Sequence, residues 1–255
     1  MIREQRIRAI QEQLERNGVV SINELIETLN VSRSTIHRDL CDLEATNELR
    51  CIRGGAVSIN RKTSLEAPFE IRKDILLEEK QRIAREAARM VSRNETLLLD
   101  GGTTVCELAR CLAQVEETCY IATNDLHSAL ELSANPNIIL TVLGGLLRQQ
   151  HYSLNGYFTE NMIMQIHADK AFIGVDAIDI EIGCMNFSVE EVQTKRLMMQ
   201  AAKKTIVLCD HSKFESVAFV NICALSAIDL IITGKEINQD VYKQLIEQKV
   251  NILTV

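Results

Sequence analysis

The sequence predicts an α/β protein in two parts, a winged helix-turn-helix followed by a larger, mostly parallel α/β domain. Three observations predict it. Residues 1–58 hold three short amphipathic helical periods and then a Gly-Gly turn between extended pieces. From Glu78 onward, continuous apolar runs alternate with amphipathic helices, as in a parallel sheet covered on both faces. Residues 59–77 show neither pattern and read as a linker, which divides the chain into 1–58, 59–77 and 78–255.

In the first part, Ile7, Ile10 and Leu14 recur at helical spacing within residues 3–16, and Asn17-Gly18 ends that helix. Ser21-Ile22-Asn23-Glu24 reads as a capping box, the serine capping forward and Glu24 capping back. Ile22, Leu25, Ile26 and Leu29 form the apolar stripe of this second helix. Ser32 then caps a third helix that buries Ile36, Leu40 and Leu43 and presents Arg33, Ser34, Thr35, His37 and Arg38. Within residues 47–58, LRCIRGGAVSI supplies two extended pieces around Gly54-Gly55, a β-wing that carries Arg50 and Arg53. The linker contains Pro68, with Phe69 and Ile71 as the residues able to order part of it.

The second part opens with a helix over 78–91. Strands follow at 96–100, 119–122, 138–142, 170–174, 205–209, 228–232 and 251–254. Helices are expected at 104–113, 125–133, 157–166, 188–203 and 238–248. With 46% hydrophobic and 25% charged residues, both parts have enough apolar surface to bury a core.

Composition narrows the function. No apolar run approaches the ~18–20 residues that cross a bilayer. The charged N-terminus lacks a signal peptide's apolar stretch, so the expected location is cytoplasmic, away from membranes. Eight cysteines, at 41, 51, 106, 111, 119, 184, 209 and 223, form no C-x-x-C pair and no zinc-like spacing with histidine. They read as reduced packing thiols, with redox sensing the alternative, and neither metal nor cofactor is expected. Net charge is −7, and residues 1–60 hold eight basic against nine acidic side chains. A broadly basic surface is therefore excluded, and any DNA reading has to come from local placement.

That placement is in the third helix. A helix fits the major groove, where short polar side chains and arginine reach base edges and phosphates. Ser32, Arg33, Ser34, Thr35, His37 and Arg38 are the candidates there, with Arg50 and Arg53 on the wing; a solvated helix of a protein-interaction bundle is the competing reading. In the second part, polar clusters follow five strands: Asp100-Gly101-Gly102-Thr103-Thr104, Thr123-Asn124-Asp125, Gly144-Gly145, Gly174-Val175-Asp176 and Asp210-His211-Ser212-Lys213. In a parallel sheet their strand ends share one rim, where ligands bind. The Gly101-to-Thr104 turn can cradle phosphate at a helix start, and Lys213 adds positive charge. Asp100, Asn124, Asp176 and Glu190 can accept hydrogen bonds from sugar hydroxyls. For Glu190, Glu191 and Lys195 the competing reading is a solvated helix face with an ion pair.

The stretch GVVSINELIETLNVSRSTIHRDLCDLEATNELRCIRGGAV resembles the N-terminal signature of the DeoR family of bacterial sugar-metabolism regulators. Ser32, Thr35, Ile36, Arg38, Asp39, Leu40, Leu43, Glu44, Gly54, Gly55 and Ala56 match its recognition helix and wing, while His37, Asn47, Cys51 and Arg53 depart. EEKQRIAREAA, LLLDGGTT, IATN, LGG, AFIGVD, FSVEEVQTKRLMM, CDHSKF and DLIIT resemble that family's effector domain, with Gly234 a departure from its usual aspartate. The resemblance implies a fold similar to ribose-5-phosphate isomerase and the CoA-transferases. It also implies a phosphorylated sugar effector held by Asp100, Gly101, Thr103, Thr104, Thr123, Asn124, Gly144, Gly145, Asp176, Glu190 and Lys213.

The expected protein is therefore a transcriptional regulator without catalytic residues, a repressor of a carbohydrate-utilisation operon. It binds double-stranded operator DNA as a homo-oligomer, dimer or tetramer, because one recognition helix reads too few base pairs. The alternative is a sugar-phosphate isomerase with an appended DNA-binding module. Against it, GVDAIDIEIGC lacks the glycine-rich run that such isomerases place after G-x-D.

Overall fold

A computed structural model describes residues 2–46, 48–58 and 66–255; Asn47 and the first part of the expected linker, residues 59–65, lie outside the described residues. The chain divides into two compact units, Met1–Leu77 and Glu78–Val255.

The first unit runs α1 (Arg3–Asn17), β1 (Val19–Ser21), α2 (Ile22–Leu29), α3 (Arg33–Ala45), β2 (Leu49–Ile52), β3 (Gly55–Ser58) and a single turn α4 (Phe69–Arg72). Its three-stranded sheet has the order β1-β3-β2, antiparallel throughout. The stripes expected on the three helices meet in one core: Ile10 and Leu14, Leu25 and Leu29, Ile36, Leu40 and Leu43, closed by Leu49 and Ala56 from the wing. One feature was not foreseen, and the linker is ordered further than Phe69 and Ile71 alone. Ser21 belongs to β1, so the capping box does not form: its side chain makes no cap bond, and Ser21 Oγ lies 3.5 Å from Asp74 Oδ2. The α2 start is held instead by the wing turn, Ile22 N–H donating to Gly54 O at 2.9 Å. Residues 66–76 also belong to this unit, burying Ala67, Phe69, Ile71, Ile75 and Leu76.

The second unit opens with α5 (Leu77–Arg89) and alternates through β4 (Thr96–Leu99), α6 (Thr103–Leu112), β5 (Cys119–Thr123), α7 (Leu126–Ser133) and β6 (Ile138–Val142). A hairpin of β7 (Leu146–Arg148) and β8 (Ser153–Asn155) precedes α8 (Tyr157–Ile163) and β9 (Ala168–Gly174). Then come β10 (Ala177–Asp179), β11 (Gly183–Asn186), α9 (Val189–Ala201), β12 (Ala202–Leu208), β13 (Val220–Cys223), β14 (Leu230–Thr233), α10 (Gln239–Glu247) and β15 (Ile252–Thr254).

Seven parallel strands form the main sheet in the order β15-β14-β12-β9-β4-β5-β6. Side chains alternate across it, as strand geometry requires. Leu97 and Leu99 pack with α5, α6 and α7 on one face, while Leu98 packs with α8 and α9 on the other. A second apolar cluster on that other side joins α10 to a small antiparallel sheet, β10-β11-β13. The chain builds outward from β4 to β6, then crosses to β9 and builds the other way. The strand order therefore reverses between β4 and β9, and a crevice opens there at the carboxyl ends.

Candidate functional site

In the first unit, α3 is fixed from behind. Asp39 is 1% exposed and accepts from Arg6 Nε at 2.7 Å and Nη2 at 3.2 Å, which ties α1 to α3. That bond raises Arg6 above its ordinary value. Ser32 caps the helix, accepting from Thr35 N–H at 3.3 Å. Glu44 Oε1 accepts from Cys51 N–H at 2.7 Å and ties α3 to the wing; burial, then Glu44, pushes the Cys51 thiol up to about 11. The wing turn requires glycine: Gly54 has φ +91°, and a Cβ there would sit 2.3 Å from Asp74 O.

The opposite face of α3 is open. Ser32, Arg33, Ser34, His37 and Arg38 are exposed and Thr35 is half-buried, with Arg50 and Arg53 exposed on the wing. Arg33, Arg38 and Arg50 have no hydrogen-bond or ion-pair partner among the described residues. Surface arginines without a carboxylate partner are available to an external anion.

In the second unit the five expected clusters do follow β4, β5, β6, β9 and β12, adjacent strands whose carboxyl ends share one rim. The centre lies at the β4/β9 crevice. Asp100 is 2% exposed, accepts from Gly174 N–H at 3.0 Å, and forms an ion pair with Lys195, whose side chain is 3% exposed. Lys195 Nζ also donates to Gly174 O at 3.0 Å. Burial alone would lower the Lys195 ammonium, but Asp100, Glu191 and Asp176 raise it above its ordinary value. Burial pushes the Asp100 carboxyl up while Lys195 pulls against it. The opposed directions fit a desolvated pair held together by its own attraction.

Around this centre, Gly102 caps α6 with φ +141° and no side-chain cap, so the amides of the first turn, at buried Thr103 and Thr104, are not covered by a capping side chain. A Cβ on Gly101 would lie 3.1 Å from Ser153 Cβ, since the β7–β8 hairpin folds back over the rim. Thr123 Oγ1 accepts from Asp125 N–H at 3.1 Å. Asn124 donates to Leu154 O at 3.0 Å, while its buried Oδ1 has no hydrogen-bond partner among the described residues. Gly145 is fixed by crowding, because a Cβ would meet Thr159 Oγ1 at 2.1 Å; Gly144 is open, and its carbonyl accepts from Thr159 at 2.8 Å. Asp176 accepts from Phe187 N–H at 3.0 Å.

Two expected residues stand apart. Glu190 is exposed on α9, and its neighbour Glu191 takes the interior place. Glu191 accepts from Ser153 Oγ at 2.7 Å, Arg148 Nη1 at 3.1 Å and Asn186 Nδ2 at 2.8 Å. The solvated-face reading therefore fits Glu190 and fails for Glu191 and Lys195. Lys213, on the turn His211–Lys213, is half-buried and acts on Asp210, which it and Lys80 hold below the usual carboxylate range against burial.

Among the described residues one trio could hold a metal ion, Glu79, His211 and Glu236, with ligand atoms within 4.8 Å of one another. Its members are already engaged. Glu79 accepts from His211 N–H and meets His211 Nδ1, both at 2.7 Å, and Glu236 receives two 2.6 Å bonds from Arg82. Gly234 makes room for this network, since a Cβ there would lie 2.1 Å from Glu79 Oε1.

Comparison with known proteins matches residues 6–62 to the DeoR-like helix-turn-helix domain and residues 76–235 to the DeoR C terminal sensor domain. The chain belongs to the DeoR family. It is 35% identical over 239 residues to the HTH-type transcriptional repressor GlcR of Bacillus subtilis (strain 168), covering 94% of this chain and 91% of that one. It is 34% identical over 229 residues to the glycerol-3-phosphate regulon repressor of Escherichia coli (strain K12), covering 90% of each. Among solved structures, ribose 5-phosphate isomerase A from Methanocaldococcus jannaschii aligns over 53% of each chain at 19% identity, with a TM-score of 0.39. This DeoR-family protein is a DNA-binding transcriptional regulator and not an enzyme. No described helix is long and apolar enough to cross a membrane.

Proposed function

We propose that this regulator represses a carbohydrate-utilisation operon, and that a phosphorylated sugar or sugar alcohol on the sheet rim releases it. Residues 1–58 are the reading head and residues 78–255 the sensor, acting as a cytoplasmic homo-oligomer on paired half-sites. The observation that carries the reading is the two-sided character of α3. One face is locked by Ile36, Leu40, Leu43 and the Asp39–Arg6 pair, and the other offers Arg33 and Arg38, which have no partner among the described residues. Ser32, Ser34, Thr35 and His37 flank those arginines, and Arg50 and Arg53 serve the wing.

On the rim, the α6 start at Gly101, Gly102, Thr103 and Thr104 receives the phosphate, because uncapped amides and the positive helix end favour an anion. Asn124 Oδ1 is a buried acceptor with no donor among the described residues, the kind of group a ligand hydroxyl satisfies. Asp100, Thr123, Asp176, Gly144 and Gly145 complete the rim, Lys213 supplies charge from its turn, and Glu191 replaces Glu190. Similarity to the glycerol-3-phosphate regulon repressor supports a phosphorylated ligand.

The test is fluorescence anisotropy with the gene's own promoter fragment. Affinity should fall steeply with salt as bound phosphates displace counterions. Arg38→Ala should lower it while leaving the thermal shift caused by sugar phosphates intact. Absence of binding at low ionic strength would end the proposal.

A further inference from the structure

We propose that Cys184 and Cys223 are a redox-active pair that closes to an intramolecular disulfide when a peroxide reaches Cys223. β11 and β13 run antiparallel with Cys184 paired to Cys223, just before a register shift between Cys184 and Met185. Opposed residues in such a pair have Cα atoms about 4.5–5.5 Å apart, inside the roughly 4.4–6.8 Å that a disulfide spans. The backbones are close at this point, for a Cβ on the neighbouring Gly183 would lie 2.2 Å from Cys223 O. Both side chains belong to one apolar cluster on the same side of the small sheet.

The two thiols are not equivalent. Cys184 is fully buried, whereas Cys223 is half-buried, which divides them into an accessible attacking sulfur and a sheltered resolving one. Arg196 is anchored beside Cys223, donating to Ile222 O and Asn221 O at 2.8 Å each. The neighbouring Cys184 thiol, together with that guanidinium, holds Cys223 below the ordinary thiol range despite burial. Cys106, by contrast, is pushed up to about 12 by its apolar surroundings. Only the thiolate is a nucleophile, so the difference selects Cys223 over Cys106.

The chemistry balances. The Cys223 thiolate attacks one peroxide oxygen, the O–O bond breaks, and the departing hydroxide takes a proton to become water. Cys184, losing its proton, attacks the resulting sulfenic sulfur; the S–O bond breaks and a second water leaves. Two thiols are oxidised and one peroxide is reduced. β11 ends at Asn186, next to Phe187, and these hold Glu191 and Asp176 at 2.8 and 3.0 Å, so the bond would pin the strand beneath two rim carboxylates. That consequence for sensing rests on the effector reading above; the disulfide itself does not.

The full chain, reduced and then treated with hydrogen peroxide, is blocked with N-ethylmaleimide and digested with trypsin without reductant. Cys184, Cys209 and Cys223 fall on separate peptides, 171–195, 205–213 and 214–235. The expected product joins 171–195 to 214–235, runs as a monomer on a non-reducing gel, and disappears with dithiothreitol. C209S should retain it and C223S should lose it. Recovery of both peptides as separate blocked or over-oxidised species, linkage of 214–235 to 205–213, or linkage only between chains would each overturn the proposal.

Discussion

Removing an ammonium from water costs several kcal/mol, and Lys195 is tolerated inside the sensor unit because Asp100 and Gly174 O answer its charge. The pair therefore behaves as one object. Lys195→Met strands a buried carboxylate and should cost about 3–5 kcal/mol in denaturant unfolding. Combining it with Asp100→Asn should recover much of that loss, and a strictly additive double variant would disprove the coupling. His211 gives a pH signature. Its bond to Glu79 raises it above the ordinary 6.5 despite partial burial. A raised value means that the protonated ring adds stability in full below pH 6.5, and that this increment fades as pH rises through the folded-state value. The stability gap between the protein and His211→Gln should thus be widest in acid and narrow above neutrality, and a gap independent of pH would remove Glu79 as the cause.

The elements of the reading head depend on the wing turn as much as on the helices. Gly54→Ala faces both a positive φ and a Cβ 2.3 Å from Asp74 O, so it should destabilise the first unit by more than about 1 kcal/mol. Gly102→Ala faces a positive φ but nothing within 4 Å, and should cost less. Calorimetry of the two variants would rank them, and the reverse order would sink the steric argument. Long periodic segments were legible in the sequence: α1, α2, α3 and the seven sheet strands lie where their apolar spacing puts them. Short or shared elements were not. Ser21 looked like a cap because its neighbours suit one, yet pairing with Gly55 makes it the end of β1. The β7–β8 hairpin has three-residue strands with mostly exposed apolar side chains, so no burial period marks it. On α9, Glu191, Thr194 and Lys195 are buried beside Val192 and Met198. Polarity thus ceases to report the inner face there, and Glu190 could not be told from Glu191 by spacing. Strand ends, by contrast, were readable, because parallel topology alone gathers Asp100, Asn124 and Asp176 on one rim.

At the scale of the whole molecule, regulation requires that the rim and α3 influence one another, and linkage sets the terms. Under the proposed function, the effector lowers operator affinity only by the factor by which operator DNA lowers effector affinity. The chain suggests where that influence is carried. α5 begins at Leu77, where the first unit ends, and its first turn places Glu79 against His211 and buried Lys80 near Asp210. The turn bearing Lys213 is therefore held by the first residues of the second unit. Glu79→Gln weakens that hold without touching α3 or the Asp100–Lys195 centre. The variant should bind promoter DNA as the parent does and still show a ligand-induced thermal shift. The fold by which a sugar phosphate reduces promoter affinity should shrink toward one. Anisotropy titrations with and without ligand, in both proteins, measure that ratio directly. An unchanged ratio would mean that the influence travels by another route, and loss of ligand binding itself would mean that Glu79 supports the rim rather than the coupling.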